Sequence, residues 1–301
     1  YPEDGETLDD LIKNADSAMY HVKEHGRGDC CFYQRQMNVD LLERVRIDHA
    51  MREALHQGYF RLAYQPQIDL QSGLVIGAEA LLRWRDPNLG ELSPGRFIPI
   101  AEETGFIVAL GGWVLREAIR QGTRWQAQGL GLSLSVNVSA AQFHQANFID
   151  SLAHWLDETG LPPGRLELEL TESILIQNVE ETLRRLEELV ALGVRLSIDD
   201  FGTGYSSLAY LKRFPIHKLK IDRSFVCDIP HDESDTAIAT AVIALASALK
   251  LRVIAEGVEN DTQRQFLMDA GCHEFQGYLC APALEPAAFL ARVAQIGLVR
   301  A

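Results

Sequence analysis

The sequence contains no C-x-x-C pair, and its five cysteines, Cys30, Cys31, Cys227, Cys272 and Cys280, are odd in number. It therefore offers neither a disulfide framework nor a cysteine-based zinc site, and it suits a reducing compartment such as the cytoplasm. Long hydrophobic runs are missing too. The longest, around residues 237–249, is too short to cross a bilayer, and the first residues do not read as a signal peptide. No membrane contact is expected from this fragment, although a longer parent protein could be anchored. Positive charge is also scarce: 28 basic against 42 acidic side chains give a net charge of −14. A DNA-binding role is disfavoured, and any anionic ligand must be met by local cations or metal ions. What remains is ordinary globular material, 301 residues with 47% apolar and 23% charged side chains.

Residues 7–25 read as a helix with Leu8, Leu11, Ile12, Ala15, Met19 and Val22 near one face. Thr7 and Asp10 form a capping pattern, and Gly26 suits the stop. A second amphipathic helix is predicted over 38–57, through Leu41, Leu42, Val45 and Leu55. From residue 59 the period changes. The runs "FRLAYQPQIDL", "LVIGAEALLRW", "LSLSVNVS", "LELELT", "VRLSIDD", "HKLKID", "RVIAEG" and "EFQGY" are eight candidate strands. Helical patterns separate them, such as the one that Asn178 and Glu181 should cap and Gly193 should end. Eight strand–helix units predict an α/β fold, a closed (β/α)8 TIM-type barrel. The first two runs are joined only by "QSG", too short for a parallel crossover. One barrel strand should therefore be antiparallel.

Strand side chains alternate. In "LSLSVNVS" the leucines and valines oppose Ser133, Ser135 and Asn137. In "LELELT" the leucines oppose Glu167, Glu169 and Thr171, and in "KLKID" Leu219 and Ile221 oppose Lys218, Lys220 and Asp222. The outer face of a parallel barrel packs on helices, so the polar sets must point inward. Those near strand C-termini lie where barrels keep their chemistry: Glu79, Asn137, Glu169, Asp199, Asp200, Lys220, Glu256 and Gln276. Strict alternation turns Asp200 outward, but a bend before "FGTG" would bring it to the same rim. Clustered carboxylates repel unless cations join them, and oxygen donors favour Mg²⁺ or Mn²⁺ over zinc. "FGTGYSS" also imitates a dinucleotide-binding turn. Ser207 in place of the third glycine and the repelling Asp199–Asp200 pair argue against that reading.

The motifs "EALLRW" (79–84), "NVSAAQF" (137–143), "ELTES" (169–173), "DDFGTGYSSL" (199–208), "LKID" (219–222), "AEGVE" (255–259) and "QGY" (276–278) resemble an EAL-domain cyclic-di-GMP phosphodiesterase. The resemblance implies hydrolysis of cyclic di-GMP to linear pGpG, two Mg²⁺ or Mn²⁺ ions and a homodimer. It makes Glu79, Asn137, Glu169, Asp199 and Asp200 metal ligands, with Lys220 and Glu256 holding or activating water. Glu259 and Gln276 would support the metal–water network. Gln65 and Arg83 would contact the dinucleotide, Asp222 is a further, weaker ligand or substrate-binding candidate, and Glu172 would anchor the "DFGTGYSS" loop. Residues 1–37, with "TLDDLIKNADSAMYHVKEHGRGDCCFY", are similar to the C-terminal tail of a GGDEF domain, leaving 38–301 as the EAL domain. That remnant lacks the cyclase signature. The competing expectation is a catalytically silent receptor for the same dinucleotide.

Overall fold

The computed structural model describes residues 4–24, 30–176, 178–202 and 211–298. Gly26 and most of the "DFGTGYSS" loop lie outside those residues. The chain divides into two compact units: residues 1–59 with 84–106, and residues 60–83 with 107–301.

The strands are β1 (Phe60–Asp69), β2 (Val75–Asp86), β3 (Gly90–Leu92), β4 (Ser133–Val138), β5 (Leu166–Thr171), β6 (Arg195–Phe201), β7 (Lys218–Ile221), β8 (Arg252–Ala255) and β9 (Glu274–Phe275). Eight of them follow the order β1-β9-β8-β7-β6-β5-β4-β2, and β1–β2 pairing closes the ring. The neighbours from β2 and β4 round to β9 are parallel, while β1 runs antiparallel to β9. The tight connection explains that reversal. Asp69 Oδ1 accepts from the Ser72 backbone N–H at 2.8 Å, and Asp69 N donates to Leu74 O at 3.0 Å.

The alternation sorts as its period demands. Leu134, Val136, Leu166, Leu168, Leu170, Leu196, Ile198, Leu219, Ile221 and Val253 are buried on the shell side. The inner side is polar. Near the strand N-termini the Lys218 ammonium lies 3.0 Å from Glu167 Oε1 and 2.8 Å from Glu274 Oε2. Arg252 Nε reaches Glu274 Oε1 at 2.7 Å. Burial works against the Lys218 charge, but Glu167 and Glu274 outweigh it and hold the ammonium above its ordinary range.

The other unit holds α1 (Leu8–Glu24), α2 (Arg35–Gln57), α3 (Pro94–Glu103) and the short β3, a strand the sequence reading did not include. β3 pairs antiparallel with Trp84–Asp86 at the end of β2 and lies outside the ring. Thr7 and Asp10 cap α1 reciprocally, each backbone N–H donating to the other's side chain. The helix faces differ from expectation. Leu8, Ile12 and Met19 of α1 are exposed, as are Leu41, Leu42 and Val45 of α2. Between α1 and α2, Asn38 bonds Ser17 and Asn14, and Ala18 of α1 and Met37 of α2 are buried. At the helix starting at Val179, Asn178 takes φ +45° and makes no side-chain cap, whereas Gly193 ends the helix at φ +96° as expected.

Replacing Lys218 with methionine strands the buried carboxylate of Glu167 and leaves Glu274 with Arg252 alone. We expect Lys218→Met to lose about 3–5 kcal/mol of stability at neutral pH. Urea unfolding measures it, and a loss below about 1 kcal/mol, the range of an exposed pair, contradicts the buried-triad account.

Candidate active site

At the C-terminal rim, four strands deliver carboxylates to one buried cation. Lys220 Nζ lies 2.6 Å from Glu169 Oε2, 2.7 Å from Glu256 Oε1, 3.0 Å from Asp199 Oδ1 and 3.7 Å from Glu79 Oε2. The lysine side chain is 1% exposed. Asp200 joins the group, since carboxylate oxygens of Asp199, Asp200 and Glu256 lie within 4.8 Å of one another. Five carboxylates against one ammonium leave four formal negative charges when all are ionised. One lysine cannot neutralise that set.

Asp200 reaches the rim through a break in strand geometry. The β6–β7 register shifts between Ile198 and Phe201, and Asp200 sits at φ +53°. Aspartate tolerates this left-handed conformation better than most side chains. The turn brings two consecutive acids to the same side, and Asp200 N donates to Asp199 Oδ1 at 3.1 Å.

Charge crowding shows in the ionisation of the cluster. Burial, then repulsion from Asp199 and Asp222, pushes the Asp200 carboxyl up to about 6. Burial pushes Glu256 up to about 7; Lys220 opposes this and Asp199 and Glu79 add to it. Glu169 is raised well above the carboxylate range, by burial first and then by Glu79. Glu79 goes the other way. Its burial penalty is outweighed by Lys220, Gln276 and Asn137, and it stays ionised. Lys220 is held far above the usual lysine range: burial opposes its charge, but the surrounding carboxylates prevail.

Amides complete the rim. Asn137 Nδ2 donates to Glu79 Oε1 at 2.8 Å, and Gln276 Nε2 donates to Glu79 Oε2 and, at 3.3 Å, to Glu256 Oε1. A cleft of about 170 Å³ opens beside them, lined by Gln65, Arg223, Glu256, Glu259, Gln276 and Tyr278 among others. Gln65 Nε2 donates to Ala281 O at 3.1 Å. Asp222 caps the turn at Ser224 and faces Asp200. Other candidates stand apart from the cluster. Glu259 is paired with Arg223 at 2.8 Å. Arg83 Nη1 donates to Leu82 O at 2.9 Å and is absent from the cleft lining. Glu172 opens the helix at 172–176 and is buried, with neither carboxylate oxygen hydrogen-bonded among the described residues. Arg223 was missed in the sequence, although it follows Asp222 directly. Its stem lies over Gly257, where a Cβ would come within 2.2 Å of it.

The EAL domain signature aligns with residues 48–283. The chain belongs to the EAL family. It is 46% identical over 295 residues to the bifunctional diguanylate cyclase/cyclic di-GMP phosphodiesterase MucR of Pseudomonas aeruginosa, an alignment covering 98% of this chain and 43% of MucR. It is 41% identical to the cyclic di-GMP phosphodiesterase PdeR of Escherichia coli, covering 96% and 43%. The chain thus spans about two-fifths of these curated relatives. Among solved structures, the MucR phosphodiesterase in complex with c-di-GMP superposes with a TM-score of 0.79 at 45% identity, covering 81% of this chain and 99% of that one. The EAL domain of Mycobacterium smegmatis DcpA gives 0.68 at 38%, covering 80% and 99%.

The raised carboxyls fix a pH signature. Folded Glu256 keeps its proton to about pH 7, whereas the unfolded residue releases it near 4.5. Between those values the folded state binds more protons, so this contribution to stability falls as pH rises. In chelator-treated protein, wild type should therefore lose stability relative to Glu256→Gln from pH 4.5 to 7. Urea midpoints measure the difference, and a constant offset across the window contradicts it.

Proposed function

We propose that this EAL domain hydrolyses cyclic di-GMP to linear pGpG with the help of two Mg²⁺ or Mn²⁺ ions. The observation that carries the reading is the surplus of carboxylates around Lys220, from which no expected ligand is missing. The donor set suits hard divalent ions: the carboxylates offer only oxygen, and the buried Glu169 Oε1 has no hydrogen-bond partner among the described residues. Glu79, Asn137, Glu169, Asp199 and Asp200 would hold the ions, and Asp222, against Asp200, is a further ligand. When bound, such ions screen a phosphodiester's charge and make water more acidic.

The chain's own groups divide the remaining work. Water attacks phosphorus in line, one P–O bond forming as the bond to the 3′ oxygen breaks. Glu256, poised near neutrality, takes the water proton. Lys220 is too firmly protonated to act as a base. It orients Glu256 and Asp199 and offsets negative charge developing at phosphorus. Gln276 keeps Glu79 and Glu256 in place, and Glu259 supports the network from its bridge to Arg223. Gln65 at the cleft and Arg83 on the inward side of β2 receive the dinucleotide. Glu172, buried without a hydrogen bond among the described residues, anchors the loop beyond Gly202, and through that loop the site communicates with a homodimer partner. Residues 1–37 are the tail of a GGDEF domain, a reading that rests on the motif "TLDDLIKNADSAMYHVKEHGRGDCCFY".

Purified protein with Mg²⁺ or Mn²⁺ and cyclic di-GMP should yield pGpG. Tight binding without turnover would make it a silent receptor instead. Glu79→Ala should fall below about one-hundredth of the wild-type rate, since even residues that merely support a ligand cost 10–100-fold. A full rate in that variant removes the metal assignment.

A further inference from the structure

Gln67 is 1% exposed and has no role in the chemistry above. It lies on β1 between Gln65 at the cleft and Asp69 near the opposite end. The antiparallel register pairs Ile68 with Phe275 and Asp69 with Glu274. Continued by one residue, it sets Gln67 directly opposite Gln276. Opposed residues of an antiparallel pair face the same side. Gln67 Nε2 accordingly donates to Gln276 Oε1 at 3.3 Å and to Ser135 Oγ at 3.3 Å.

A primary amide has two faces of nearly equal shape and opposite hydrogen-bonding character. Glu79 and Glu256 accept from Gln276, so its NH₂ must turn toward them and its Oε1 toward the barrel interior. That carbonyl then requires a donor, and Gln67 supplies it. Gly77 leaves the room: a Cβ there would stand 2.9 Å from Gln67 Oε1 and 2.9 Å from Ser133 O. Gln67 Oε1 itself is buried without a hydrogen-bond partner among the described residues. A residue serving only to fill space would do better without that unsatisfied carbonyl.

We propose that Gln67 is a positioning residue. By donating to Gln276 it fixes which amide face Glu79 and Glu256 meet, and so holds both carboxylates in register for ions and water. The functional half of this proposal rests on the phosphodiesterase reading; the geometric half does not.

Gln67→Met keeps the volume and removes the amide. A high-resolution crystal structure of the metal-free variant should show Gln276 turned, with at least one contact to Glu79 or Glu256 lost. Gln276 retaining both contacts overturns the proposal. Mn²⁺ titration followed by electron paramagnetic resonance should show binding about tenfold weaker. The double variant Gln67→Met/Gln276→Met should bind Mn²⁺ no more weakly than Gln276→Met alone, because the effect passes through Gln276. Additive losses, or wild-type affinity in Gln67→Met, overturn it. If that variant does not fold, a high-resolution wild-type structure decides: a Gln67–Gln276 separation beyond about 3.5 Å refutes the proposal, and a shorter one sustains it. Failure of the wild type to bind Mn²⁺ removes the phosphodiesterase reading instead, while the crystallographic comparison still judges Gln67.

Discussion

The rim depends on a single ammonium group. Lys220 is the one buried cation that Glu79, Glu169, Asp199 and Glu256 share, and it arrives on β7 with its charge already committed. One positive charge lets four strands bring acids together in a space that would otherwise scatter or protonate them. It also leaves the set short of neutrality. Under-compensation is what distinguishes this end of the barrel from the other, where Lys218 and Arg252 answer Glu167 and Glu274 charge for charge.

Much of this arrangement was legible because a period of two survives folding. "LELELT" states which of its residues will face inward, and Glu167 and Glu169 do so. "QSG" states that β1 must turn back, and it does. Asp200 could be placed only conditionally, since alternation sends it outward and a left-handed backbone angle brings it in. No pattern of apolar and polar residues encodes that angle. The helix faces of α1 and α2 misled for a related reason. An amphipathic stripe says that a surface wants cover but not which neighbour provides it. Here the two helices meet through Asn14, Ser17 and Asn38.

Residue roles were harder to read than positions. Glu259 and Arg83 carry the right chemistry in the right motifs, yet Glu259 is bound to Arg223 and Arg83 is not among the cleft's lining residues. Ion pairs of this kind form across the top of the strands, between side chains far apart in the chain, and a linear reading has no means to match them. Gln67 is the opposite case. It shares the parity of Gln65, but its importance appears only when the antiparallel register sets it against Gln276.

The closed layer formed by Lys218, Glu167 and Glu274 has a consequence for how the cylinder meets its surroundings. Lys218 and the two carboxylates are buried, and the remaining negative charge is met by Arg252, whose side chain is half exposed, so dissolved salt competes at Arg252 rather than at Lys218. The opposite rim sets five carboxylates against one ammonium and lies beside a cleft. The two ends therefore answer ionic strength differently: added salt screens the surplus charge at the rim more than the buried pairs at the base.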